Sequence, residues 1–108
     1  MDCIFCKIIT KQIPKEFTYE DDSIVVFPDI HPIKKVHLLV IPKKHIEDFL
    51  HIDDATLMDK IRIVLQQLVR KNVLEDKGYK IVVNGGGGQV VPHLHFHLIG
   101  PTGRNAAL

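Results

Sequence analysis

The last two apolar segments of the chain, YKIVVN at residues 79–84 and HLHFHLIG at residues 93–100, are separated only by a glycine-rich loop. A parallel crossover needs a dozen or more residues, so two strands joined this closely must pair antiparallel. The second segment shows strand character by strict alternation. Leu94, Phe96 and Leu98 occupy one row, and His93, His95 and His97 the other. Successive side chains of a strand point to opposite faces. The apolar row therefore faces a core, and three imidazoles share the opposite face. Lys, Thr or Glu would serve a merely solvated face as well. Three imidazoles can bind metal, bind phosphate or move protons.

The remaining pattern completes one small domain. Residues 3–11 predict a short helix with Ile4, Ile8 and Phe5 on one side, ended by Pro14. Residues 17–20 and 24–30 read as two strands joined at residues 21–23, and residues 36–43 as a third, ended by Pro42. A brief helical turn is expected within HIEDFLHI. Leu57, Ile61, Val64, Leu65 and Leu68 follow i, i+4, i+7, i+8, i+11, which predicts an amphipathic helix from Thr56 to Asp76. Asp53 or Asp54 caps it and Gly78 stops it. The expected class is α+β, an antiparallel sheet with helices on one face, and the tail from residue 101 is expected to be loose.

Length and charge narrow the classes. At 108 residues a single domain covering residues 1–108 is expected. The 45% apolar content supports a small core, and a net charge of +1 is far from the basic footprint of a nucleic-acid-binding protein. No apolar run is long enough to span a bilayer, and the N-terminus has no signal-peptide core. The reading is a cytoplasmic protein with no membrane partner, whose two cysteines are thiols or metal ligands.

Two groups of residues can carry chemistry. In NGGGGQVVPHLHFH, four glycines permit positive φ and expose backbone N–H groups beside the imidazole row, which suggests a phosphate site. The Lys and Ser/Thr of a Walker-type loop are absent. In CIFC, Cys3 and Cys6 have metal-ligand spacing. Zinc would need two further ligands, and seven histidines are available. His31 and His51 are read as solvated surface histidines.

HLHFHLI matches the H-φ-H-φ-H-φ-φ signature of the histidine triad proteins. CIFCKII, YEDDSIVVFPDI, HLLVIPKKHI and YKIVVN resemble the corresponding family segments in the same order, so the resemblance covers nearly all of residues 3–100. The branch it resembles is the Hint-type nucleotide-binding proteins. The resemblance implies an α/β domain of about five antiparallel strands, homodimeric through the long helix and a strand. It implies binding of purine nucleoside monophosphates and hydrolysis at the α-phosphate, with nucleoside 5'-phosphoramidates as substrates. His95 matches the nucleophile, His97 the residue that holds phosphate oxygens and assists the leaving group, and His37 a supporting histidine. Asp29 matches the ribose ligand, and Ile30 lies beside the base. Ile4, Phe5, Ile8 and Phe27 match the base pocket. Asn84, Gly88, Gln89 and Val90 fall on the phosphate side, and Phe96 falls between the two catalytic histidines.

The resemblance also implies a structural zinc held by Cys3, Cys6, His45 and His93, a closed set that leaves His95 and His97 for phosphate. No organic cofactor is implied. Two positions depart from the family pattern. Val90 stands where many members have Ser or Thr, and the glycine loop is about two residues shorter than in close relatives. Rival readings are a catalytic zinc on His93, His95 and His97 together, a nucleotide-sensing module with slow hydrolysis, and a dinucleoside polyphosphate hydrolase.

Overall fold

The computed structural model describes residues 3–104. A short helix α1 (Ile4–Ile9) precedes strands β1 (Tyr19–Glu20), β2 (Ile24–Pro28) and β3 (Val36–Pro42). A 3-10 turn (Phe49–His51) leads to helix α2 (Ala55–Lys71), followed by β4 (Lys80–Val83) and β5 (Phe96–Gly100). The five strands form one antiparallel sheet in the order β1-β2-β3-β5-β4. The chain end thus returns to insert β5 beside β3, with β4 at the edge. No helix among the described residues is long and apolar enough to cross a membrane.

Alternation divides the core in two. Ile24, Val26, Leu38, Val40, Leu94, Phe96 and Leu98 meet the apolar stripe of α2, where Leu57, Ile61, Val64, Leu65 and Leu68 are all buried. Val25, Phe27, Leu39 and Ile41 point the other way and meet Cys3, Phe5 and Ile8 of the α1 region. The helices therefore lie on opposite faces rather than together on one. The cause is local: the β2 and β3 runs are apolar on both faces, and each face needs a cover.

Several boundaries differ from the sequence expectation. Helix α1 ends at Ile9, well before Pro14, and Lys11 takes a left-handed φ of 67°. Asp54 is the cap of α2, its Oδ1 accepting from the Leu57 N–H at 3.0 Å. That helix stops at Lys71, not near Gly78. Val73 N–H bonds to the Arg70 carbonyl and Leu74 N–H to the Val69 carbonyl, both at 3.0 Å, with Val73 at φ 55°. This is the Schellman pattern, held by burial of Leu74. Gly78 has another task. Its φ is +82°, and a Cβ there would lie 2.3 Å from the Gly103 carbonyl oxygen. Thr102 and Gly103 donate to the Gly78 and Lys77 carbonyls, so the tail is anchored at these residues rather than loose. Residues 1–2 and 105–108 of the expected 1–108 domain lie outside the described residues.

Candidate active site and metal centre

The α1 side of the sheet carries the histidines. On β3, His37 shares its face with Leu39 and Ile41. The register places Leu39 opposite His97 and His37 opposite Ile99, so His37 and His97 are diagonal neighbours. Of the triad only His97 lies within β5. His93 and His95 precede the ladder, where the Leu94 N–H instead bonds the Ile46 carbonyl at 2.7 Å. That bond keeps the alternation going past the end of the strand. Leu94 is fully buried on the α2 side, and His93 and His95 are buried on the other.

Hydrogen bonds assign the ring protons. The Ile33 N–H donates to His37 Nδ1 at 3.2 Å, so neutral His37 carries its proton on Nε2. That Nε2–H donates to His97 Nδ1 at 2.9 Å, which leaves the His97 proton on Nε2. His95 Nδ1–H donates to the His93 carbonyl at 2.7 Å, so its Nε2 keeps a lone pair. His93 Nε2–H donates to the Pro42 carbonyl at 2.8 Å, and its Nδ1 lone pair turns to the cysteines. Burial, reinforced by His95 and His37, pushes His97 down to about 4. Burial also holds His93 below the ordinary imidazole range. Both rings are therefore neutral at physiological pH.

Cys3, Cys6, His45 and His93 converge at the N-terminus of α1, all four ligand atoms lying within 4.8 Å of one another. His93 Nδ1 is 3.4 Å from Cys3 Sγ, 3.6 Å from Cys6 Sγ and 3.1 Å from His45 Nδ1, and Cys6 Sγ is 3.3 Å from His45 Nδ1. Tetrahedral zinc with ordinary bond lengths separates its ligand atoms by about 3.3–3.8 Å. The donor set fits, and the Pro42 carbonyl fixes the His93 tautomer that ligation needs. Burial and neighbouring Cys3 push the Cys6 thiol up to about 11 when no cation is present. A bound cation would reverse that and displace the proton.

A second group, Asp29, His37 and His97, is close enough to suggest a metal, but its proton pattern disagrees. A metal on His37 Nε2 would put a proton on Nδ1, facing the Ile33 N–H. His37 and His97 form a hydrogen-bonded pair instead, with the Asp29 carboxylate beside them. Asp29 Oδ2 lies 3.4 Å from His37 Nε2 and 3.9 Å from His97 Nδ1, and Asp29 Oδ1 accepts the His31 N–H. Among the described residues the triad histidines do not gather into one metal-holding group: His93 joins the cysteines and His97 joins His37 and Asp29.

The other predicted residues fall at varied positions. Phe5 sits edge-on to His95 at 5.0 Å and to Phe27 at 5.9 Å. Ile8 is buried behind it, while Ile4 and Ile30 are exposed. The Phe96 side chain belongs to the α2 core, on the opposite side from the histidines, because it alternates with them. A nucleotide contact there is left to its backbone. Asn84 and Gly88 are exposed, and Val90 is 97% exposed.

The glycine loop is less open to an anion than its composition implies. The Gly88 N–H bonds the Gly85 carbonyl at 3.0 Å, and the Gly86 N–H bonds Asp48 Oδ2 at 2.9 Å. The Gln89 amide donates to the Glu47 carbonyl at 2.6 Å. Asp48 is buried, and its other oxygen takes His51 Nδ1; His51 is exposed, as expected, but has a partner. Asp48 escaped sequence reasoning because nothing in HIEDFLHI separates a buried carboxylate from a solvated one.

A protein-family profile described as "Scavenger mRNA decapping enzyme C-term binding" matches residues 2–107. The protein HitA of Neisseria gonorrhoeae is 41% identical over 103 residues, covering 92% of this chain and 95% of that protein. A HIT family hydrolase from Legionella pneumophila superposes with a TM-score of 0.87 at 41% identity, over 98% of this chain and 96% of the other. A histidine triad nucleotide-binding protein from Candida albicans superposes with a TM-score of 0.81 at 37% identity, over 90% of this chain and 73% of the other. With relatives this close along almost the whole chain, and two triad imidazoles set by hydrogen bonds beside a cysteine–histidine cluster, the chain belongs to the histidine triad (HIT) family.

Proposed function

We propose that this protein hydrolyses purine nucleoside 5'-phosphoramidates in two steps, with His95 as the nucleophile. The observation that carries the reading is the bond from His95 Nδ1–H to the His93 carbonyl, which leaves Nε2 unprotonated and aimed by the backbone. In the first step the Nε2 lone pair attacks the α-phosphorus. The P–N bond to the leaving amine breaks, and the amine departs with a proton drawn from solvent while His97 Nε2–H donates a hydrogen bond to a phosphate oxygen. The hydrogen bond from His37 Nε2–H to His97 Nδ1 fixes that tautomer and polarises the ring, which strengthens the donor. Water then attacks the same phosphorus and loses its proton to solvent, and the P–N bond to the enzyme breaks, restoring His95 with its Nε2 lone pair.

Binding follows from the surroundings. Phe5 and Phe27, with Ile4 and Ile30 at the rim, offer an apolar seat for a purine. Asp29, partly exposed, holds the ribose hydroxyls. The loop of Asn84, Gly88, Gln89 and Val90 flanks the phosphate. Cys3, Cys6, His45 and His93 would hold zinc in a structural role, tying α1 to the segment that carries His95. When bound, zinc would supply a structural tie and no reacting group. Hydrolase and nucleotide-binding descriptions among the structural relatives support the reading at the level of class. A nucleotide sensor with weak hydrolysis is the second reading, favoured by Val90, which presents an exposed apolar side chain beside the loop.

Rapid-mix mass spectrometry with an adenosine phosphoramidate, quenched without acid, tests the choice. The expected result is an adenylyl adduct on His95 that forms and decays within a turnover. His95→Ala should abolish hydrolysis while AMP affinity by calorimetry stays near wild type. Near-normal turnover in His95→Ala, or an adduct on His93 or His37, overturns the assignment.

A further inference from the structure

Asp48 is a buried carboxylate on the 45–51 segment, distant in sequence from the loop it serves. One oxygen accepts the Gly86 N–H at 2.9 Å and the other takes His51 Nδ1. Gly86 and Gly87 have φ of +63° and +87°, and a turn bond closes Gly88 onto Gly85. Such a run of glycines has little conformational preference of its own. Among the described residues, two hydrogen bonds join the loop to the 45–51 segment: the Gly86 N–H to Asp48, and the Gln89 side-chain amide to the Glu47 carbonyl. The first is charge-assisted, which makes it the stronger of the two. A Cβ on Gly85 would lie 3.4 Å from Asp48 Oδ2, so the loop rests directly against the carboxylate.

We propose that Asp48 is a positioning residue that fixes the conformation of the glycine loop on the phosphate side of the site, through its bond to the Gly86 amide. It touches no reacting atom. It removes conformations from a loop that would otherwise have to be ordered by substrate, and so spares substrate binding that cost. His51 occupies the second oxygen and keeps the carboxylate turned toward the loop. The inference rests on the reading of residues 84–90 as the phosphate side.

The test pairs a bond measurement with a function measurement. In wild-type protein, NMR should show a trans-hydrogen-bond coupling between the Gly86 amide nitrogen and the Asp48 carboxyl carbon. Asp48→Ala should exchange its Gly86 amide at least tenfold faster, with other core amides unchanged. Its AMP affinity should fall about tenfold, with KM for an adenosine phosphoramidate raised more than kcat is lowered. Asp48→Asn keeps an acceptor for Gly86 and should restore both readouts to near wild type. If Asp48→Ala does not fold, Asp48→Leu fills the same space without an acceptor. Unchanged Gly86 exchange in the acceptor-free variant overturns the proposal. So does equal impairment of Asp48→Asn and Asp48→Ala, or a freed Gly86 with unaltered AMP affinity. Wild-type protein that neither binds AMP nor turns over the substrate refutes the proposed function and the phosphate-side role. The coupling would still show whether Asp48 tethers the loop.

Discussion

At the scale of single residues the site is a set of tautomers, each fixed by a neighbour. His37, His95 and His93 are oriented by the Ile33 amide, the His93 carbonyl and the Pro42 carbonyl in turn. The cost of holding them neutral appears in acid. His97 titrates near 4 in the fold because burial disfavours its cation, against an ordinary value of 6.5. The unfolded chain therefore binds the proton first as pH falls. This residue leaves stability unaffected above about pH 6.5, and stability is then lost steadily down to about pH 4. The loss by pH 4.5 should be about 2–3 kcal/mol. Urea unfolding at pH 7.5 and 4.5 checks it, and His97→Asn should flatten the difference by that amount. An equal pH dependence in the variant would show that the slope arises elsewhere.

At the scale of elements, the features legible in the sequence are those set by local pattern, and the illegible ones depend on distant contacts. The α2 stripe, a cap at Asp53 or Asp54, the alternation of Leu94, Phe96 and Leu98, and the antiparallel return of β5 are properties of neighbouring residues, so the order of amino acids suffices to infer them. The end of α2 is different. Gly78 is the obvious stop signal, yet it is reserved for the close approach of Gly103. Valine fills the left-handed position that a Schellman turn normally gives to glycine, because burying Leu74 outweighs the strain on Val73. That strain predicts a gain from relief. Val73→Gly should raise unfolding free energy by about 0.5–1 kcal/mol, after its greater freedom in the unfolded chain is subtracted. Thermal melts of the two proteins measure it, and a lower midpoint in the variant would contradict the assignment of strain. In the site, His37 beside His97 follows from strand register. The Asp48 contact with Gly86 does not, since it joins two irregular segments.

At the scale of the whole molecule, the edge strand and one helix leave unfinished surface. Beside β4, a groove of about 440 Å³ runs between Met58, Leu65 and Val69 of α2 and two residues opposite, Tyr79 just before the strand and Ile81 on it, both of which are 44% exposed. We infer a homodimer that covers this groove with a second copy of β4 and α2. Light scattering should return twice the chain mass, and Ile81→Lys should return it to one. A monomeric wild type at micromolar concentration removes the inference. Metal content is the other global property. Elemental analysis of protein purified without chelators should find about one zinc per chain, and Cys3→Ser with Cys6→Ser should lower the melting temperature. Absence of metal would end the zinc assignment and leave the His95 chemistry standing. One residue joins these parts. His93 gives its ring to the cysteine cluster and its carbonyl to the nucleophile. Air oxidation that couples Cys3 to Cys6 would disturb the first and so misalign the second. A preparation ageing on the bench should therefore lose turnover in step with its free thiols, and a reductant should restore it.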